Sequence, residues 1–374
     1  MNFRIGLLAI LILTFNQLHI DAYQSQLRII DVELNKAKAN VKLSSLVEDI
    51  RFVPLSTSEE SVIGKIDKIL ITDDYIFILD RFIAGHVFQF DSNGSFVRNV
   101  GRIGPGPKEY QRPTDFTLHN DQIYIMDDGV GVISYDFNGN FVEKKRLSTT
   151  NGFFLEKLNT GWALVGGNGS HNLVITDEQF NREKEFFPYI SRSVDRIIIN
   201  PLFKTSDGTV LYKRNLRDTL YSLSENGMSP YLLMNQKTRP FDISQIDKEN
   251  SERIMSQEVD RYSVSKQLYE ASNTTYAITR FESKNWVTIH KHKSGRSIIF
   301  RTSELVDDLT FSRFLYPKGV HKDQIVHVIV PGNFLADIKR AKEKGADIPK
   351  EIEKIVDSLS GEDNPILLFI KYSL

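Results

Sequence analysis

Asp80-Arg81 and Asp127-Asp128 each follow directly on a short apolar run, and their spacing of 47 residues marks them as equivalent positions in a repeated unit. Two carboxylates brought together there could hold a divalent cation, since hard cations take oxygen ligands. The competing reading is that Asp80 and Asp127 cap turns, a common task for acidic residues at the ends of strands. Lys213-Arg214 and Arg280 bring positive charge to corresponding places, and Arg102 and Tyr110 stand in the glycine- and proline-rich segment 101–113, GRIGPGPKEYQRP. Gathered at one mouth, these groups could recognise a ligand through both signs of charge. Scattered, they are solvated loop charges, with Arg102 and Tyr110 stapling neighbouring units.

No residue presents itself as catalytic. The sequence holds no Gly-x-Ser-x-Gly, phosphate loop, His-Glu-x-x-His or EF-hand pattern. His290 and His292 are two apart on an expected strand and so share a face, but a metal site needs a third ligand that the neighbourhood does not supply. Trp162, Trp286 and Tyr124 could stack on sugars or pack between sheets.

The elements that position these residues are short strands. Residues 121–147, DQIYIMDDGVGVISYDFNGNFVEKKRL, contain three strand-like runs separated by Asp-Asp-Gly and by Asn138-Gly139, a strong hairpin signal. Imperfect copies recur along the chain: Asn93-Gly94 precedes Asn138-Gly139 by 45 residues, and Lys213 follows Asp127 by 86. One such sheet cannot bury both faces alone, so copies at this period predict a β-propeller.

Counting units gives an all-β fold, a six-bladed β-propeller over residues 23–374. Blades one, three and four begin near residues 66, 153 and 202, and blade two holds the three runs of 121–147. Blade five has strands at 276–279, 286–290 and 297–301, and blade six at 311–316 and 324–330 with a last strand at 365–374. The alternating run 49–56, DIRFVPLS, lacks a hairpin partner and is placed as the strand that closes the ring against the C-terminal one. Two helical insertions are expected, at about 241–270 and 333–360. In the second, Ile348, Ile352, Ile355, Val356 and Leu359 fall on one helical face.

In such meanders the turns after first and third strands lie on one face. The exits of second strands and the links between blades lie on the other. That second face receives Asp80-Arg81, Asp127-Asp128, Gly166-Gly167, Lys213-Arg214, Arg280, Pro331-Gly332 and the segment 101–113. A pocket mouth is expected there.

Of 374 residues, 41% are hydrophobic and 25% charged, a composition that supports a sizeable core, and the net charge of −1 offers no basic surface for nucleic acid. Residues 1–22, with an apolar run at 5–15 behind Arg4, read as a secretory signal too short to span a bilayer. Cysteine is absent, which excludes disulfides, cysteine-ligated zinc, thiol nucleophiles and a lipid attached through cysteine. The expected protein is exported, periplasmic or secreted, with no membrane insertion after cleavage.

The segment 45–56, SLVEDIRFVPLS, the run Gly104-x-Gly106-Pro107-Lys108-Glu109-Tyr110 and the terminal NPILLFIKY resemble the NHL-like six-bladed β-propeller family of exported bacterial proteins, related to TolB-like propellers. The family run reads Gly-x-Gly-Pro-Gly-Glu-Tyr, and Lys108 replaces its third glycine, so a local difference in that loop is expected. The resemblance implies a binding or interaction propeller for a small molecule, glycan or protein, on the face carrying 101–113. The alternative it implies is a metal-dependent lactonase-like hydrolase or an NHL-type lyase, with a divalent cation near Asp80 and Asp127. A third reading is a structural partner docking through its helical insertions, which requires an exposed apolar stripe on 347–359.

Overall fold

The computed structural model describes residues 27–374 except 130, 148–151, 167–169, 193, 196–199 and 314; the secretory signal read at 1–22 and Gly167 lie outside the described residues. Short runs such as Tyr75–Asp80, buried at all but its first position, become strands because both of their faces meet another sheet. Outermost strands such as Phe141–Arg146 instead alternate between half-buried and exposed. Four-stranded antiparallel sheets built this way form six blades around an axis.

Blade one comprises Lys68–Ile71, Tyr75–Asp80, His86–Asp91 and Phe96–Asn99; blade two Pro113–His119, Gln122–Asp127, Gly131–Asp136 and Phe141–Arg146; blade three Phe154–Lys157, Trp162–Val165, His171–Thr176 and Arg182–Pro188. Blade four comprises Leu202–Lys204, Val210–Lys213, Thr219–Ser224 and Gly227–Gln236, and blade five Val264–Glu270, Thr274–Phe281, Lys284–Lys291 and Ser297–Arg301. Blade six is assembled from both ends of the chain: Tyr316–His321, Gln324–Ile329, Ile366–Tyr372 and, outermost, Val47–Pro54. That last pairing is antiparallel and runs from Ile366 opposite Pro54 to Tyr372 opposite Val47. The closing strand falls where the alternation of 49–56 predicts it.

Apolar side chains fill the wedges between blades. Phe77 and Leu79 of blade one meet Phe116, Ile123 and Ile125 of blade two, and the closing sheet presents Val53, Leu367 and Phe369 to Ile76, Ile78 and Phe88 of blade one. The N-terminal segment stitches three blades before it closes the ring. Arg28–Val32 adds a fifth, parallel strand to blade four, Lys38 bridges to Phe300 of blade five, and Val41–Lys42 pairs with Leu305–Val306 in the link to blade six.

Two innermost strands differ from expectation. Blade five begins with Val264–Glu270, which sequence periodicity assigns to the helical insertion; the insertion is reduced to a turn at Ile243–Gln245 and a short irregular helix over 251–261. A bulge between Ser265 and Gln267 breaks the period-two alternation and hides the strand. Blade six begins with Tyr316–His321 rather than 311–316, because Pro317, Gly319 and a bulge between them give the run the look of a turn. The second insertion forms helices Pro331–Glu343 and Lys350–Asp357, and Ile348 and Ile352 are buried while Ile355, Val356 and Leu359 pack against the blade-six core. The apolar stripe on 347–359 is therefore covered by the ring. Among the described residues no helix is long and apolar enough to cross a membrane.

His327 sits in the closing blade, its Nε2 3.0 Å from the Tyr372 hydroxyl and its ring against Tyr276. Full burial drives its pKa down to about 3. A histidine whose folded pKa lies below its unfolded value of about 6.5 contributes stability that is complete above that value and is lost as pH falls toward the folded pKa. Between pH 7 and pH 5 this group alone should remove about 2 kcal/mol, and His327→Gln should flatten that part of a pH series of denaturant melts; an unchanged slope refutes the assignment. Phe369→Ala, at a fully buried position of Ile366–Tyr372 against which the closing strand pairs, should cost about 3–5 kcal/mol in the same melts, and a loss below about 1 kcal/mol contradicts the closure described.

Candidate functional site

Asp80 and Asp127 end the second strands of blades one and two and do the same work in each. The Asp80 carboxylate accepts hydrogen bonds from the backbone N–H groups of Gly64 (2.8 Å), Lys65 (2.9 Å) and Ile83 (3.0 Å). Asp127 accepts from Gln111 (2.7 Å) and Arg112 (3.1 Å), and its other oxygen meets Lys144 Nζ at 3.0 Å. Both side chains are buried. Each ties the link entering its blade to the end of that blade's second strand, and its buried carboxylate takes up backbone donors of that link. No group of three or more His, Asp or Glu residues among the described residues is arranged to hold a metal ion.

The other residues singled out by sequence are distributed around the ring. Arg81 lays its guanidinium over the Phe154 ring at 4.9 Å, and Asp128 pairs with Arg112 at the surface. Arg102 is exposed, whereas Tyr110 is fully buried between blades one and two, where its hydroxyl donates to the Val100 carbonyl at 3.0 Å and burial pushes its pKa up. The segment 101–113 folds on itself: Glu109 Oε2 accepts from Gly106 N, and a Cβ at Gly104 would lie 2.1 Å from that oxygen, so a larger residue there would displace the Glu109 carboxylate. Lys108 is not among the residues with positive φ, so its replacement of a family glycine brings no backbone strain.

Lys213 is buried, and its Nζ donates to the carbonyls of Arg214 and Arg217; burial lowers its pKa to about 8. Arg214 pairs with Asp195 under the Phe187 ring, and Arg280 joins Asp260 of the insertion at 2.9 Å. These residues do not converge on one cavity. None of them borders the main cleft on their face, and only Lys213 reaches a second cavity on the axis.

The cleft lies between blades five and six on the face of second-strand exits and interblade links, as the topology predicts, but away from 101–113. Its volume is about 1270 Å³. Tyr276, Ile278, Val287 and Phe300 form an apolar floor; the long link of residues 302–315 is one wall and the helix Pro331–Glu343 the other. Asp337 fastens the two walls. It accepts from Arg313 N at 3.0 Å, Arg313 Nε at 2.7 Å and Arg340 Nη1 at 2.7 Å; burial opposes ionisation, but these donors outweigh it and hold the carboxyl below its usual range. The link is braced internally where Asp307 accepts from the N–H groups of Leu309 and Thr310. Because Asp337 is shared by two arginines, Arg313, Arg340, Lys344 and Lys266 leave the cleft with an excess of positive charge over Asp307 and Asp337.

Exposed apolar side chains gather on the same face. Phe82 (70% exposed) and Ile83 (67%) follow the second strand of blade one, and Val62, Ile103, Phe153 and Tyr189 stand in interblade links. Val306, Tyr316 and Val330 edge the cleft side. Among the described residues, the remaining exposed large apolar side chains are only Leu27, Ile29 and Val142. Exposed apolar side chains concentrated on one face favour an interaction surface there.

None of the cleft residues was singled out by sequence: Asp307 lies in a segment read as a connection, Arg313 and Tyr316 in the run 311–316 read as a strand, and Asp337 and Arg340 in the second helical insertion. An unusually long link beside an inserted helix is itself a signal for function.

The profile of a domain of unknown function, DUF4934, matches residues 27–371, and the chain belongs to that family. No curated protein is significantly similar in sequence. Among solved structures, a protein of Bacteroides fragilis NCTC 9343 described as exported is 18% identical with a TM-score of 0.76, covering 92% of this chain and 100% of its own. A member of the DUF4221 family from Bacteroides vulgatus ATCC 8482 is 8% identical with a TM-score of 0.48, covering 88% and 97%, and BamB from Moraxella catarrhalis is 11% identical with a TM-score of 0.37, covering 73% and 72%. The first of these shares the six-bladed fold, so the resemblance read from the sequence holds at the level of architecture.

Asp127→Ala leaves two part-buried backbone donors and the Lys144 ammonium without their acceptor and should cost about 1–3 kcal/mol. Arg280→Ala removes a pair that is more than a third exposed and should cost less than about 1 kcal/mol. Denaturant melts of both variants check this, and equal costs would contradict the roles assigned.

Proposed function

We propose that this DUF4934 protein is an exported binding module that takes a polypeptide partner on the face of second-strand exits and interblade links, with the cleft between blades five and six as its anchor point. The observation that carries the reading is the concentration of exposed large apolar residues on that face, Val306, Tyr316 and Val330 among them at a cleft with an apolar floor and a cationic rim. A volume of about 1270 Å³ exceeds that of an ordinary small-molecule pocket, roughly 300–1,000 Å³. It suits a segment of chain. Aromatic and arginine side chains such as Tyr316 and Arg340 supply the anchors that dominate such interfaces. The excess positive charge favours a segment carrying acidic residues beside its apolar ones.

Export is supported by the apolar N-terminal run, by the lack of any cysteine and by the description of the B. fragilis neighbour. The hydrolase or lyase alternative rests on a cation near Asp80 and Asp127, and the backbone donors already bound to those carboxylates weigh against it.

Peptides selected from a random display library on the immobilised protein test the reading. Selected sequences should combine aromatic or aliphatic anchors with Asp or Glu, and should lose about tenfold or more in affinity to Tyr316→Ala and to Arg340→Glu, each about 1.4 kcal/mol or more. Added salt should weaken them, and Asn138→Ala on the opposite face should leave them unchanged. Peptides that bind both cleft variants as well as the parent would overturn it.

A further inference from the structure

A second cavity, of about 390 Å³, lies on the ring axis and is lined by residues from the innermost strands of all six blades. Its rim, Thr72, Asp73, Ser206, His321 and Lys322, belongs to the turns after first strands, so it opens on the face opposite the cleft. At the other end Asn200, in the link entering blade four, donates from Nδ2 to the Asp67 carbonyl at the start of blade one, at 3.0 Å. Blades one and four stand across the ring from each other. This contact therefore crosses the axis and makes the cavity a well rather than a through-channel.

Lysines stand around the well, and most are accounted for. Lys68 meets Asp115 at 2.9 Å, Lys204 meets Glu156 at 2.9 Å, Lys322 meets Asp73 at 2.7 Å, and Lys213 is turned to backbone carbonyls. Lys318 differs. It is half-buried, and among the described residues it makes no hydrogen bond and has no carboxylate oxygen within 4.0 Å. The bulge between Pro317 and Gly319 makes Lys318 the extra residue of its strand and turns it out of the ladder toward the axis. The bulge in the neighbouring first strand does the same for Lys266.

Burial lowers the pKa of the Lys318 ammonium, with Asp67 opposing. An ammonium held partly out of water without a counter-charge is costly unless something else supplies that charge. The remaining wall is largely apolar, with Ile69, Leu202, Leu268 and Val320.

We infer that the axial well is a binding site of its own for a small molecule with an anionic head, carboxylate or phosphate, and an apolar body, the head placed against Lys318. Its volume fits one ligand of modest size. The site does not depend on the polypeptide partner proposed for the cleft, because the two mouths open on opposite faces.

Calorimetric titration of the whole protein with octanoate, octyl phosphate and neutral octanamide tests it. At least one anion should bind one to one with a dissociation constant below about 1 mM, and octanamide at least about tenfold more weakly. Binding by octanoate alone or by octyl phosphate alone assigns the head group. Lys318→Met and Lys318→Gln should weaken the anion about tenfold or more without lowering the melting temperature, while Arg340→Glu in the cleft should leave it unchanged. Absence of binding by both anions, equal binding of octanamide, or undiminished binding to the Lys318 variants would overturn the inference.

Discussion

Every other feature depends on the pairing of Val47–Pro54 with Ile366–Tyr372. Sheets that are apolar on both faces leave no tolerable gap in the ring, since an unclosed junction would expose the wedge formed by Val53, Leu367 and Phe369 against Ile76, Ile78 and Phe88. A chain whose two ends share one blade also covers the edge of Ile366–Tyr372 with Val47–Pro54, so that edge is not left to pair with another molecule. The N-terminal segment strengthens this lock on its way, adding to blade four, touching blade five and pairing with the link into blade six.

The cleft arises from that closure. Blade six takes its strands from distant parts of the chain, and the interval between its second and third strands is where the helices Pro331–Glu343 and Lys350–Asp357 are inserted. Those helices bury Phe334, Ile338, Ile348 and Ile352 against the blades, so they act as a fixed wall. Asp337 then fastens the link opposite to them through Arg313. Lys266 and Gln267 border both this cleft and the axial well, so the bulged start of blade five is the partition between two cavities that open on opposite faces.

What the sequence made legible follows from regularity. Strands with intact alternation and Asn-Gly turns were readable in blades one to four, and the closing strand was readable because 49–56 alternates without a nearby partner. Val264–Glu270 and Tyr316–His321 were not, since bulges and the Pro317 and Gly319 pair remove the periodicity on which the reading rests. Those same irregularities turn Lys266 and Lys318 toward the axis. Asp80 and Asp127 were visible as repeated carboxylates, but spacing cannot distinguish a ligand from a cap; only the backbone donors of Gly64, Lys65, Gln111 and Arg112 disclose what the oxygens do. The cleft residues escaped because Arg313 fell in a run read as a strand, and Asp337, 24 positions on, in an insertion with no repeat partner.

Site-specific photo-cross-linking in the producing cell tests the central claim most directly, with a photoreactive amino acid placed either at Tyr316 on the cleft face or at Asn93 in a turn on the other. The account predicts a discrete polypeptide adduct from position 316 and none from position 93. An adduct from position 93, with none from 316, would contradict it.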